Sequence, residues 1–317
     1  MTRDQKIRIA MVICAVVLVC AVIISATGLL KGSGLEGYSH AEKYTAGETE
    51  IEGKVRNLDV RWTSGQVNLA FHEGGTVKLE ETAERTLKED EKLRWWLDGE
   101  TLRIQLAAPG NHWNMPEKTL TVTLPKGIAL DRVNIQTTSG DIRIPELQAE
   151  SLALHSTSGD MDAAARAGTV SAEATSGDVR ILLTGETETV SAATTSGSLL
   201  LEAEKVREIN AGTTSGGIGI TAGESENVKA ASTSGNIRVE LRKMKKLDIG
   251  ATSGSVTALL PEAPGYTADV TTTSGSFTTE TALTRHSEGR YACGDGSGQV
   301  RIGTTSGSVR IGPAQEK

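Results

Sequence analysis

The tripeptide Thr-Ser-Gly, followed in most copies by apolar residues two and four positions on, occurs ten times. Its glycines are Gly65, Gly140, Gly159, Gly177, Gly197, Gly216, Gly235, Gly254, Gly275 and Gly307. From Gly140 to Gly275 the steps are 19, 18, 20, 19, 19, 19 and 21 residues. A fixed period near twenty residues makes each repeat one structural unit that buries its apolar side only by stacking on its neighbours. That requirement excludes most single-core globular folds.

The repeats carry a change of parity. Ahead of the glycine, apolar or small residues lie seven and five positions back, as in Val133 and Ile135 or Val190 and Ala192; after it they lie two and four on, as in Ile142 and Ile144 or Leu199 and Leu201. A strand alternates its faces strictly, so odd offsets becoming even ones predicts a corner at Ser-Gly. Glycine is expected there for its backbone freedom. The predicted structural corners are Ser139-Gly140, Ser158-Gly159, Ser176-Gly177, Ser196-Gly197, Ser215-Gly216, Ser234-Gly235, Ser253-Gly254, Ser274-Gly275 and Ser306-Gly307. Each repeat then reads strand, corner, strand, loop, and successive repeats stack about 4.8 Å apart in parallel ladders. Counting in twos from Val133 predicts that Ser139 and its equivalents point inward as a hydroxyl column, with Thr138 and its equivalents outward. Small core positions such as Ala172, Ala192, Ala211 and Ala230 account for an aromatic content of 3%.

The fold class predicted is all-β: a parallel β-solenoid (β-helix) of about nine to ten rungs with an N-terminal β cap region, preceded by one transmembrane α-helix. Residues 7–30 are an apolar run long enough to span a bilayer, with Arg3, Lys6 and Arg8 at its start, which predicts a retained signal anchor with residues 1–6 as a cytoplasmic tail and the bulk of the chain outside. The expected location is a bacterial-type cell membrane. Residues 31–45 read as a flexible spacer, 46–127 as a β-rich cap, 128–312 as the solenoid and 313–317 as a tail. Within the cap, Glu80–Leu97 reads as strands and loops rather than a helix. Residues 280–299 interrupt the repeats and read as a hairpin carrying Tyr291 and Cys293, the one cysteine outside the apolar run. A single thiol there cannot form an intrachain disulfide.

A net charge of −7 offers no basic face for a nucleic acid. Asp141, Asp160 and Asp178 share one corner position and raise the question of calcium, but the same position continues as Ser198, Gly217, Asn236 and Ser255, the residues of a turn. His40, His72, His112, His155 and His286 have no metal-ligand spacing, and no nucleophile elbow, zinc helix motif or phosphate loop is present. No catalytic residue, cofactor site or metal site is predicted, and the chain is not expected to be an enzyme. All four tryptophans, Trp62, Trp95, Trp96 and Trp113, fall in the first third. Their packing inside the cap is expected, with Trp113 and Tyr291 as speculative contacts for a ligand such as a glycan.

The Thr-Ser-Gly repeat, the strand T-V-T-L-P-K-G at Thr121 to Gly127, and the closing G-D-G-S-G-Q-V-R-I-G-T-T-S-G-S-V-R-I at Gly294 to Ile311 resemble the "putative adhesin" β-strand-repeat family of bacterial envelope proteins, over about residues 45 to 312. That family includes the membrane-anchored protein encoded beside the Lia envelope-stress system. The resemblance implies an envelope β-repeat fold and brings no catalytic or binding residues. The function expected is an adhesin-like binding or structural element held at the membrane, meeting cell-wall polymer or another envelope protein. An accessory role in envelope-stress signalling or transport is the first alternative, and a polymerising scaffold the second.

Overall fold

The computed structural model describes residues 38–110, 112 and 114–315. The predicted cytoplasmic tail, the anchor over 7–30 and Trp113 lie outside the described residues. Among the described residues no helix is long and apolar enough to cross a membrane. Apart from one 3-10 turn at Ala41–Lys43, every element is a β-strand. The chain divides into two compact units, one ending at Gly177 and the other beginning at Asp178.

In the first unit the strands are β1 (Thr45–Ala46), β2 (Thr49–Ile51), β3 (Asn57–His72), β4 (Val77–Ala83), β5 (Arg94–Asp98), β6 (Thr101–Gln105), β7 (Lys118–Pro125), β8 (Leu130–Ile144), β9 (Gln148–Ser158) and β10 (Met161–Ser176). Strands β3, β8, β9 and β10 stack in parallel, so that Leu58, Val133, Leu152 and Val170 form one buried column before the corner and Val67, Ile142 and Met161 another after it. On the other side of β3, its first half pairs in parallel with β6 and its second half with β7. These are closed in turn by antiparallel strands, β5 and β1 on one arm, β4 and β2 on the other. Glu80–Leu97 is thus strand and loop, and the expected cap is built of antiparallel pairs that end the parallel ladder.

In the second unit the strands are β11 (Val179–Ser196), β12 (Leu199–Ser215), β13 (Ile218–Ser234), β14 (Ile237–Ser253), β15 (Val256–Leu260), β16 (Gly265–Ser274), β17 (Phe277–Thr279), β18 (Thr284–Ser287), β19 (Arg290–Gly294), β20 (Gly298–Ser306) and β21 (Val309–Pro313). Strands β11 to β14 pair in parallel over nearly their whole length. What reads as a loop in each repeat is a third side: Thr187, Val206 and Ser225 are stacked and buried between two further parity changes, while Glu186, Lys205, Glu224 and Lys243 stack outside. Ion pairs join Lys205 to Glu186, Arg207 to Glu188, Lys243 to Glu224 and Lys245 to Glu226, one rung apart.

The corner differs from the counting rule in two respects. Ser139 and the other eight corner serines are exposed, and the inward hydroxyl lies two residues earlier, at Thr137, Ser156, Thr194, Thr213, Ser232 and Thr304. The chain therefore turns just before the serine. The reason lies in the glycine carbonyl, which points into the corner and would be left without a donor. The buried hydroxyl supplies it: Thr213 Oγ1 donates to the Gly197 carbonyl at 3.3 Å, Ser232 Oγ to that of Gly216 at 3.3 Å, and Thr304 Oγ1 to that of Gly254 at 3.1 Å. The second difference is why glycine is needed. Most corner glycines do not have a left-handed backbone; a Cβ at Gly140, Gly159, Gly235 or Gly254 would instead lie 1.8–2.3 Å from the carbonyl oxygen of the glycine in the neighbouring rung.

Stacking does not follow chain order at the far end of the second unit. The last repeat, β20 and β21, lies between β14/β15 and β16/β17, pairing in parallel with both. The glycine column therefore runs Gly254, Gly307, Gly275. The insertion at 280–299 contains the hairpin of β18 and β19, and β19 lies antiparallel on β16. It closes the ladder on that side.

Candidate functional site

The cap of the first unit is assembled around a buried cation. Lys118 takes the corner position opposite Gly65, whose absent Cβ would lie 2.0 Å from the Lys118 carbonyl oxygen and whose φ is 93°. Trp62 sits where other rungs carry the inward hydroxyl, and it does the same work: its Nε1 donates to the Lys118 carbonyl at 3.0 Å. The Lys118 side chain turns inward and is fully buried. Its Nζ lies 2.8 Å from Glu81 Oε2, 2.5 Å from each of the Glu91 and Leu106 carbonyl oxygens, and 5.1 Å from the centre of the Trp62 ring. Three acceptors match the three N–H groups of an ammonium. Burial pushes the Lys118 pKa down, and the hydrogen bond and charge of Glu81 oppose the shift. The buried Glu91 carboxylate receives both Arg85 nitrogens at 2.7 and 2.8 Å and the Lys88 N–H at 2.8 Å, and these hold its pKa at about 2. Loops 84–93 and 106–117 are tied together by these contacts.

Outside this closure lies a cleft of about 580 Å³. One wall is the Thr82-Ala83-Glu84 end of β4 with Glu117 and Thr119; the other is Gly65-Gln66, Ser139-Gly140-Asp141 and Ser158 from the corner column. The Lys118 ammonium is engaged in the interior, so the charges lining the cleft are the carboxylates of Glu84, Glu117 and Asp141, interspersed with hydroxyls. The outward turn of Ser139 and Ser158 is what gives the cleft two of those hydroxyls. Such a lining can accept hydrogen bonds from hydroxyl or amine groups and return a few from its own hydroxyls. Among the described residues no group of three His, Cys, Asp or Glu side chains is placed to hold a metal ion. The corner acids serve the turns: Asp141 Oδ1 accepts the Asp160 N–H at 3.0 Å, Asp178 Oδ1 the Ser198 N–H at 2.7 Å, and Asn236 Oδ1 the Ser255 N–H at 2.9 Å.

A second cap feature lies in residues that read as spacer. Residues 38–46 are folded onto the cap: Tyr38 Oη donates to the Ala107 carbonyl at 3.1 Å, and Thr45–Ala46 pairs with β5. Tyr44 stacks edge-on with Tyr38 and with Trp96 at 4.8 and 5.7 Å, and Lys43 and Arg103 lie over the Trp96 ring. Burial raises the Tyr38 pKa to about 12. Of the two speculative contacts, Tyr291 belongs to the second unit, half-buried against Phe277 at 4.8 Å. Cys293 is buried beside it in sequence, its thiol pKa pushed up by burial.

The family model described as Toastrack DUF4097 matches residues 55–312. The chain belongs to the Toastrack family. No curated protein matches the Toastrack chain. Among solved structures, a "putative cell adhesion protein" from Clostridium sporogenes is 13% identical, with 85% of the Toastrack chain and 100% of that chain covered, at a TM-score of 0.22. A "putative adhesin" from Bacteroides fragilis and one from Parabacteroides distasonis are each 13% identical, with 84% of the Toastrack chain and 97% of theirs covered, at TM-scores of 0.37. At those scores the assignment rests on the family match alone.

Proposed function

We propose that this Toastrack chain is a non-catalytic binding module of a bacterial-type cell envelope, anchored through residues 7–30 with its folded part outside the cytoplasm. The cap cleft is its ligand site, and the ligand is an envelope polymer rich in hydroxyl or amine groups. The observation that supports this is a polar cleft bearing the carboxylates of Glu84, Glu117 and Asp141, with the Lys118 cation turned into the interior and Arg143 at 3.6 Å from Asp141. Among the described residues the cap, which includes Tyr38, lies nearest in sequence to the apolar run, eight positions after Leu30.

Two measurements test the reading. An epitope tag at Lys317 should be accessible on intact cells, and a tag reached only after lysis overturns the topology. The detergent-solubilised full chain should be retained on purified wall polymer, and Glu84→Ala with Glu117→Ala, both on exposed residues, should release it while leaving the melting temperature unchanged. Capture of a membrane kinase or transporter, with no retention on wall polymer, favours the accessory role instead.

A further inference from the structure

The last repeat occupies a slot between two rungs that precede it in the chain. Its own neighbours treat it as any other rung. The Gly254 N–H donates to the Ser306 carbonyl and the Gly307 N–H to that of Ser274, both at 3.1 Å, and Thr272 Oγ1 donates to the Gly307 carbonyl at 2.9 Å. Nothing in these contacts depends on the rung being joined to the same chain. We propose that this slot is an exchangeable strand-acceptor site, and that its alternative occupant is the Gly298–Pro313 rung of a second copy.

Two observations carry the proposal. First, the flanking rungs are already joined without the last repeat: only residues 261–264 separate β15 from β16. Gly254 to Gly275 is a 21-residue step where the neighbouring steps are 19, so this connection crosses two rung spacings and leaves a gap one rung wide. Second, the last repeat is joined to β16/β17 by residues 280–297, of which β18 is exposed at all four positions and is paired with β19. With β18 and β19 released from β16, these eighteen residues fully extended reach about 60 Å, enough to cross to a neighbouring molecule.

The closed and exchanged forms share the contacts of the last rung, and the exchanged form gives up the pairing of β18 and β19 on β16. A tethered rung has an effective concentration in about the millimolar range, so the closed form prevails in dilute solution and the exchanged form grows with protein concentration.

The test uses the full chain in detergent with Cys14→Ser, Cys20→Ser and Cys293→Ser. Ser253 and Ser306 are register partners across β14 and β20, and both are exposed. A chain with Ser253→Cys and another with Ser306→Cys are mixed, unfolded, refolded together and oxidised. Ser215→Cys and Ser234→Cys, register partners across β12 and β13 in the interior of the repeat run, give the reference mixture. The expected result is a disulfide joining positions 253 and 306 of different chains, rising in proportion to protein concentration, and none in the reference. The idea is overturned by no interchain link while Ser253→Cys/Ser306→Cys in one chain closes internally, or by equal yields in the two mixtures. Failure of that double variant to close internally overturns the rung order on which the slot depends.

Discussion

At the scale of single residues, the corner is a problem of one carbonyl and two neighbours. The Gly216 carbonyl points where a Cβ at Gly235 would be, 1.8 Å away, and Ser232 Oγ satisfies it. Gly235→Ala should therefore cost about 3 kcal/mol or more through backbone displacement. Gly250→Ala in β14 meets nothing within 4 Å and should be neutral, or stabilise by up to about 1 kcal/mol. Denaturant titration of both variants checks this, and equal effects would remove the close-approach explanation. Lys118→Met should cost about 3–5 kcal/mol, because it leaves Glu81 and two buried carbonyls without their donor. Parity counting finds the interval in which the chain changes face, but two hydroxyls fall in that interval. Whether Thr137 or Ser139 turns inward depends on which can reach a glycine carbonyl in the corner, that of its own Gly140 for Thr137 and that of the neighbouring rung for Thr213 and Ser232, a geometry that alternation does not record. Lys118 was equally hidden: at the head of a K-T-L-T-V-T-L alternation, a lysine reads as the solvated end of a strand.

At the scale of elements, the two sides of each repeat next to the glycine were legible, because Val and Ile at period two leave little choice. The third side was not, since E-T-E and K-V-R carry one inward residue between charges and resemble a solvated loop. It becomes a strand because acids and bases alternate from rung to rung, with Lys205 between Glu186 and Glu224. Lys205→Glu should lower the melting temperature at low salt, and the difference should shrink near 1 M salt, where the screening length is about 3 Å; a salt-independent difference would point to packing. The cap has its own electrostatic signature in Glu91. Its folded pKa of about 2 lies below the ordinary 4.5, so its contribution is complete above about pH 4.5 and is lost as the pH falls toward 2. Glu91→Gln should be less stable at pH 7 and show a flatter decline over that acid window. A variant that declines as steeply as the parent would assign the acid sensitivity to another group. The cleft itself could not be read in advance, because β4, the 106–117 loop, β8 and β9 each supply one edge of it.

At the scale of the whole molecule, the departure from chain order changes what the last repeat does. In a plain solenoid each repeat touches only its sequence neighbours, and removing the final one shortens the stack without opening it. The steps of 21 and 32 residues around Gly275 were the signal that this end is different: the first carries the chain past an empty level and the second brings it back to fill that level. The last rung therefore joins β14/β15 to β16/β17, and it is made after both of them. A chain ending at Ser297 should keep the ladders among β11, β12, β13, β14 and β15, whose mutual pairing makes no use of residues 298–313, and lose the parallel pairing of β16 and β17 over 265–279. Hydrogen exchange provides the readout, since protection reports local opening free energies strand by strand. Amides of 199–234 should exchange as in the full chain, while those of 265–279 should lose most of their protection. Unchanged protection over 265–279 would mean that β16 and β17 pair directly with β14 and β15 once the intervening rung is gone, so that the gap closes instead of remaining as an acceptor.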